Sequence, residues 1–281
     1  MPLFGQKKEE QPKQVQLDMR DGNTVQGKLI TRHGDTVVIE TATLGTLNLN
    51  IKNIKSITVL DVQRLKNGEY WFENPHATRG FFAPTGYGLR KGEGYYSNIY
   101  LFLNSISYGF TDNFTVGAGG DAFTIFSGNA PIFMYVTPKF SFQAGDNFSY
   151  GVGVLAASIG GGIFSGNSTR SSEGILYGVG TLGSRDNNIS LALGYGYSGN
   201  DWAKRPVATI SGQYRVARKV SLMTENYILS EGFLGVTGAR FMNANFSFDL
   251  GIIYGSIFES DLSAIPIPFL GIAFPFGHKK L

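Results

Sequence analysis

Short polar turns recur through the last two-thirds of this chain and alternate strictly with longer polar loops. The segments between them are about ten residues long, the length of a membrane-spanning strand, and alternate apolar with small or polar side chains. Short turns at one end and long loops at the other are typical of a membrane-spanning antiparallel barrel. The five turns are Thr111-Asp112-Asn113, Gly145-Asp146-Asn147, Arg185-Asp186-Asn187-Asn188, Arg218-Lys219 and Asn243-Ala244-Asn245.

The composition favours a surface that does not face water. Only 16% of the 281 residues are charged, whereas soluble domains carry about 25%. The longest apolar runs, such as 99–103, are far shorter than the roughly 20 residues of a membrane helix. Because hydrocarbon admits only helices and closed barrels, an all-β barrel remains.

Several classes of function are disfavoured by charge and cysteine content. A net charge of +3 is too small to indicate nucleic-acid binding. With no cysteine, the chain has no disulfide and no thiolate metal site. We therefore predict no cofactor, no metal and no nucleic-acid partner.

The chain is expected to divide into five parts. The short apolar start before Lys7 predicts the remnant of a signal peptide, although a disordered cytosolic N-terminus is the alternative. The parts are 1–12 (signal remnant and disordered start), 13–60 (small β-domain), 61–77 (connector), 78–276 (transmembrane barrel) and 277–281 (tail).

Residues 13–60 predict five short strands, with a one-turn step before the last. The pattern of Asp21-Gly22, Gly27-Lys28-Leu29, Val37-Val38-Ile39-Glu40 and Ile51…Ile54…Ile57 resembles SH3-like or Sm-like small barrels. That resemblance implies peptide or nucleic-acid binding in general, and a structural spacer is the alternative here.

The predicted barrel has about twelve strands. An even count puts both ends on the short-turn side, which in bacterial barrels is the periplasm. The small domain is therefore expected in the periplasm. The candidates are 78–85, 95–109, 114–126, 131–143, 148–160, 174–184, 189–198, 206–216, 220–229, 235–242, 246–257 and 265–276.

Aromatic residues cluster at both predicted ends of the barrel. Interfacial aromatic girdles are expected there, and core packing in a soluble β-sandwich is the alternative. The predicted periplasmic girdle is Phe110, Phe114, Phe148, Phe246 and Phe248, and the opposite end is marked by Tyr95, Tyr96, Tyr195, Tyr197 and Trp202.

A family resemblance rests on three stretches. Residues 108–117 resemble the periplasmic turn of Gram-negative outer-membrane barrels, while 71–82 and 91–96 resemble a poorly characterised group of Bacteroidota envelope proteins. The resemblance implies location in the outer membrane, contact with its lipids and insertion by the barrel assembly machinery. It implies no activity.

Several charges are expected to face the lumen, because a lysine or arginine facing lipid at mid-depth costs about 2–4 kcal/mol. Arg240 and Asp249 flank one turn and are expected to pair. The set forms either a polar pathway or an ion-pair network that fills the lumen. It comprises Asp121, Lys139, Arg215, Glu225, Arg240 and Asp249.

Enzyme chemistry is not expected. The three histidines, His33, His76 and His278, lie off the predicted outer rim, so a serine nucleophile there lacks its base. His76 is expected to be a solvated connector residue. Carboxylates predicted on the outer loops could bind divalent cations or be solvated. They are Glu93, Glu173, Glu231, Glu259 and Asp261.

Two functions therefore stay open at this stage. The first is a non-catalytic structural or docking role, in which the barrel anchors the small periplasmic domain for a protein partner. The alternative is a small-solute channel whose selectivity depends on the lumen charges. An outer-membrane lipid-modifying enzyme is a distant third.

Overall fold

The computed structural model describes residues 13–60, 62–66, 69–121, 133–159, 171–230, 232–257 and 266–277. The chain forms two compact units that divide between Trp71 and Phe72. Among the described residues, no helix is long and apolar enough to cross a membrane.

The first unit contains the predicted five-stranded domain. Its strands follow the order β4-β3-β2-β1-β5 in one antiparallel sheet. Alternate residues of the strands point to a core of Val15, Leu17, Val37, Ile39 and Ile54. The strands are β1 (Gln14–Met19), β2 (Thr24–His33), β3 (Thr36–Thr41), β4 (Gly45–Asn50) and β5 (Ile54–Val59), with a 3₁₀ turn over Ile51–Asn53 and a hairpin of β6 (Leu65–Lys66) and β7 (Glu69–Tyr70).

The second unit is a closed antiparallel barrel of twelve wall strands. Each strand pairs with its neighbours in sequence, and the last pairs with the first, so Phe276 lies opposite Gly94. The wall strands are β8 (Gly94–Ile99), β9 (Leu103–Gly109), β10 (Phe114–Asp121), β11 (Phe133–Gln143), β12 (Phe148–Ile159), β13 (Ser171–Gly183), β14 (Asn188–Ser198), β16 (Val207–Ala217), β17 (Val220–Leu229), β18 (Gly232–Met242), β19 (Ser247–Ile257) and β20 (Ile267–Phe276); the two-residue β15 (Asp201–Trp202) extends the end of β14.

The barrel is apolar outside and polar inside. Along β14, Ile189, Leu191 and Leu193 are more than half exposed, whereas the intervening Ser190 and Ala192 are buried. The same period of two runs along the neighbouring strands. This distribution is the reverse of a soluble barrel and suits an outer wall in contact with acyl chains.

Two strand predictions were wrong, and their errors cancel in the count. Residues 78–85 form no strand and contain only the isolated bridge between Arg79 and Pro84. Residues 95–109 are two strands, β8 and β9, joined by a tight hairpin at 100–102. Tyr100 and Leu101 take positive φ angles of 55° and 67° there, and neither residue type signals such a turn.

The corrected strand assignment places three residues at the end of the barrel opposite to the one predicted. Because β8 starts beside the end of β20, Glu93, Tyr95 and Tyr96 lie at the short-turn end. Glu93 is therefore not an outer-loop carboxylate, and the two tyrosines do not mark the outer end. Tyr95 points into the lumen and Tyr96 points outward.

Candidate functional site

The lumen is occupied by residues 72–93, which we call the inserted segment. It has no regular structure and is folded on itself by a few internal bonds: the Gly80 amide donates to the Ala83 carbonyl at 2.8 Å, and the Thr85 amide to the Thr78 carbonyl at 3.1 Å. Inward side chains from several wall strands contact it, so it lies inside the barrel.

Glu225 on β17 binds three successive backbone amides of the inserted segment. Its carboxylate accepts hydrogen bonds from the amides of Phe81 at 2.8 Å, Phe82 at 3.1 Å and Ala83 at 3.0 Å. The hydroxyl of Tyr227 donates to the same carboxylate at 2.5 Å. The wholly buried carboxylate thus has four hydrogen-bond donors, three from the segment and one from the wall.

Arg240 on β18 holds the carbonyl side of the same turn. Its Nη1 donates to the carbonyl of His76 at 3.1 Å, and its Nη2 donates to that of Gly80 at 2.9 Å. The guanidinium also makes a bidentate pair with Asp249 at 2.6 and 2.8 Å, as the sequence predicts. Arg79 adds a second cation to Asp249 at 3.4 Å.

Lys139 on β11 binds the other side of the inserted segment. Its buried Nζ donates to the carbonyls of Thr85 at 3.1 Å and Tyr87 at 2.6 Å. On β13, the hydroxyl of Thr181 accepts from the Gly86 amide at 2.7 Å. Because these strands lie away from β17 and β18 in the wall, the segment is held from several sides.

Two glycines let the inserted segment approach the wall. A Cβ at Gly86 would overlap the carbonyl oxygen of Ser149, and one at Gly88 would lie 3.1 Å from the Cβ of Ser141. Neither glycine has a positive φ angle. Close packing therefore requires glycine at Gly86, whereas a Cβ at Gly88 would be a tight contact that the neighbouring strand must yield by a few tenths of an ångström to accept.

Charged groups fasten the segment at the short-turn end. Arg215 donates to the Phe72 carbonyl and pairs with Asp186 at 2.7 Å. Glu73 binds Arg90 at 2.7 Å, and this hydrogen bond raises the pKa of the Arg90 guanidinium. Burial lowers the pKa of Arg185, also beside Glu73, although an arginine stays charged at neutral pH.

An apolar cluster lies where the segment reaches furthest from the short turns. Phe81 packs edge-to-face on Phe269 of β20, with ring centroids 5.0 Å apart. Met223 and Val236 complete the buried part of this cluster. The segment is thus held by hydrogen bonds along its length, and Phe81 also packs into an apolar cluster of the wall.

Of the six predicted lumen charges, five meet the inserted segment or its immediate partners. The sixth, Asp121, ends β10 and accepts from the Phe133 amide at 3.1 Å. The sequence reasoning missed the segment itself. The sequence did hold one signal of it. More charges were predicted to face the lumen than were expected to pair with one another, and a buried charge needs hydrogen-bonding partners.

His76 does not fit its prediction as a solvated connector residue. Its ring is fully buried and packs edge-to-face on Tyr95 at 5.3 Å. The short-turn half of the lumen encloses it, because Arg240 binds its carbonyl near the 218–219 turn. His33 lies in the first unit, and His278 lies outside the described residues.

The five predicted girdle phenylalanines lie beside the short turns on the outer face. Phe110, Phe148, Phe246 and Phe248 are exposed, and Phe114 stacks on the ring of Phe140 at 4.7 Å. Their role at a membrane interface stays a prediction.

Among the described residues, no three acidic or histidine side chains group as metal ligands. Glu173 accepts a hydrogen bond from Ser198 at 2.8 Å. Glu231, Glu259 and Asp261 lie outside the described residues.

No protein-family model matches the chain, and no curated protein matches it. Among solved structures, it is similar to the KdgM porin, with 10% identity over 66% of this chain and 98% of that one and a TM-score of 0.44. The NanC porin shows 10% identity over 65% and 97%, with a TM-score of 0.37. OmpT of Vibrio cholerae shows 12% identity over 94% of each chain, with a TM-score of 0.34. These likenesses concern the barrel fold and carry nothing about activity.

Proposed function

We propose that this protein is an outer-membrane β-barrel closed by its own inserted segment, with a structural or docking role. One observation carries the proposal: Lys139, Arg215, Glu225 and Arg240 all bind the backbone of residues 72–93. Charged side chains that bind the inserted segment are not free to line an open channel through the lumen. The apolar outer wall supports contact with outer-membrane lipids.

The orientation follows from where the inserted segment begins. Phe72 is bound by Arg215 close to the short turn at 218–219, so the segment starts at the short-turn end. Short turns of bacterial barrels face the periplasm. We therefore place the five-stranded unit in the periplasm, as an SH3-like or Sm-like module that binds a protein partner. Insertion would depend on the barrel assembly machinery.

A catalytic role is not proposed. His76 is enclosed in the short-turn half of the lumen against Tyr95, far from an outer rim where a lipid substrate would meet a nucleophile. A lipid-modifying enzyme of the Ser–His type would need an accessible base.

A small-solute channel is the alternative function. One feature favours it: side chains of the wall, rather than strand pairing, hold residues 72–91. Withdrawal of the segment would therefore leave the ladder of the wall intact. The same lumen charges would then face the path and set its selectivity.

Planar-bilayer recording separates the two functions. We expect the wild-type protein to be silent and a variant lacking 73–91 to conduct, with Gly178→Ala, which faces open space, as a silent control. Steady conductance by the wild type would contradict the closed barrel and support the channel.

Photo-cross-linking in cells tests the docking role. A photoreactive residue replaces Leu44, which is 68% exposed on the first unit. We expect a discrete adduct with a periplasmic protein, whereas the same residue in place of Leu250 on the outer wall should react with lipid. If Leu44 gives no protein adduct while Leu250 labels lipid, the docking role fails and the membrane placement stands.

A further inference from the structure

The outer face of the barrel carries four polar side chains on three neighbouring strands. On β17, Thr224 and Asn226 alternate with the buried, inward Glu225, so both point outward. Thr224 lies opposite Thr237 of β18, and both threonines are exposed near the middle of their strands. Tyr254 of β19 is the fourth member, because its hydroxyl reaches that of Thr237. We call these four residues the polar ring.

The members of the polar ring bond to one another in a closed cycle. The hydroxyl of Tyr254 donates to Asn226 Oδ1 at 3.2 Å, and Asn226 Nδ2 donates to Thr224 Oγ1 at 3.1 Å. The hydroxyls of Thr224 and Thr237 are 3.2 Å apart, as are those of Thr237 and Tyr254. Each member can therefore donate once and accept once, which offsets the cost of placing polar groups against hydrocarbon.

The asparagine of the polar ring keeps spare hydrogen-bonding capacity. An amide side chain has two N–H donors and an oxygen with two lone pairs. Among the described residues, Asn226 donates once, to Thr224, and accepts once, from Tyr254. One donor and one lone pair are left, and lipid tails can satisfy neither. Asn98 and Asn104, also on the outer face, instead bind the backbone of the hairpin between β8 and β9.

A recess lies beside the polar ring. Gly212 of β16 is opposite Thr224 and has no side chain, while Ile189, Tyr214 and Leu222 rise around it. The resulting groove has a volume of about 640 Å³. Between membrane helices, small residues of this kind mark the places where two backbones approach closely. The polar ring therefore lies on a part of the wall that a second protein surface can approach.

We infer that this face is a contact between two copies of the chain within the membrane, in which the two Asn226 side chains pair across a two-fold axis; this rests on the proposed membrane placement. A second copy fits because an amide is its own complement, with each N–H bonding to the other oxygen. It also fits because like surfaces do not repel here. The charged residues of β17, β18 and β19 are Glu225, Arg240 and Asp249, and all three are buried.

Photo-cross-linking of the full-length chain in its native membranes tests the contact. A photoreactive residue replaces Ile228, two positions beyond Asn226 on the outer face, or Val152 of β12, four strands away in the wall. The two sites are matched in exposure, at 53% and 51%. We expect the residue at 228 to give a dimer of the chain and the residue at 152 to give lipid adducts.

The same experiment separates the contact from the membrane placement. Lipid adducts without dimer at both sites would overturn the contact and leave the placement standing. If neither site labels lipid, the placement fails, and the contact fails with it. An adduct of 228 with a protein of another mass, in place of the dimer, would overturn the second copy as the partner.

Asn226→Leu, in the chain with the photoreactive residue at 228, tests the pairing of the two amides. We expect the yield of dimer to fall to the level of the 152 control, with lipid adducts in its place. The heat-dependent shift on gels checks that this variant is folded. An undiminished yield of dimer would overturn the role of Asn226, whereas the comparison of 228 with 152 does not depend on this variant.

Discussion

Single residues decide whether the inserted segment stays in the lumen. Glu225 is wholly buried and accepts from three successive amides, while Arg240 holds the carbonyls on the other side of the same turn. Each charge is buried and depends on the segment for its hydrogen bonds, and the backbone groups of the segment depend on the two charges. Loss of one side leaves buried polar groups unsatisfied on the other.

Glu225→Gln tests this mutual dependence. The neutral amide binds the three backbone donors less strongly, and hydrogen bonds to a charged group contribute about 1.5–3 kcal/mol. We expect the free energy of unfolding by urea in lipid vesicles to fall by about 2 kcal/mol. The control Glu173→Gln, bound only by Ser198 among the contacts described, should change it by less than about 0.5 kcal/mol. Equal effects would contradict the account.

Gly86→Ala tests the close approach of segment and wall. The added methyl group would overlap the Ser149 carbonyl, so the segment must shift away from the wall. We expect faster protease cleavage within 72–93 in the folded barrel. Gly178→Ala adds its methyl group in open space and should leave the cleavage rate unchanged. An unchanged rate in Gly86→Ala would show that the wall tolerates the methyl group.

Elements differ in how much the sequence says about them. All five short turns are hairpin connections as expected. Four of them contain Asp, Asn or Gly, whose preference for turns is local, whereas the 218–219 turn contains only Arg and Lys. The 100–102 hairpin was missed because Tyr and Leu carry no such preference. Residues 78–85 of the inserted segment were mistaken for a strand, because the wall residues that bind them, such as Glu225 and Lys139, are more than 50 positions away in sequence.

Leu101→Lys tests the depth of the hairpin tip. A lysine facing lipid at mid-depth costs about 2–4 kcal/mol, less near an interface. We expect the yield of folding into vesicles to fall, as read from the heat-dependent shift of the barrel on gels. Leu44→Lys, an equally apolar and exposed site on the first unit, should leave the yield unchanged. A normal yield for Leu101→Lys would place the tip at the water boundary.

At the scale of the whole molecule, the sequence predicts the wall of the barrel but not the inserted segment inside it. Period-two alternation reports which side chains face out, so twelve strands and five inward charges follow from it. It cannot report what those charges bind. A barrel of this size has room for a segment of its own chain, and four of the inward charges bind residues 72–93.

A disulfide between segment and wall measures the central claim most directly. The chain has no native cysteine, and Gly88 and Ser141 would place their Cβ atoms 3.1 Å apart, close to the 3.5–4.5 Å of a disulfide. A wall pair, Ser97→Cys/Ser105→Cys on β8 and β9, is the positive control. The account predicts that Gly88→Cys/Ser141→Cys in membranes forms a bridge as completely as the wall pair. A bridged wall pair with free thiols at 88 and 141 would show that residues 72–93 do not occupy the lumen.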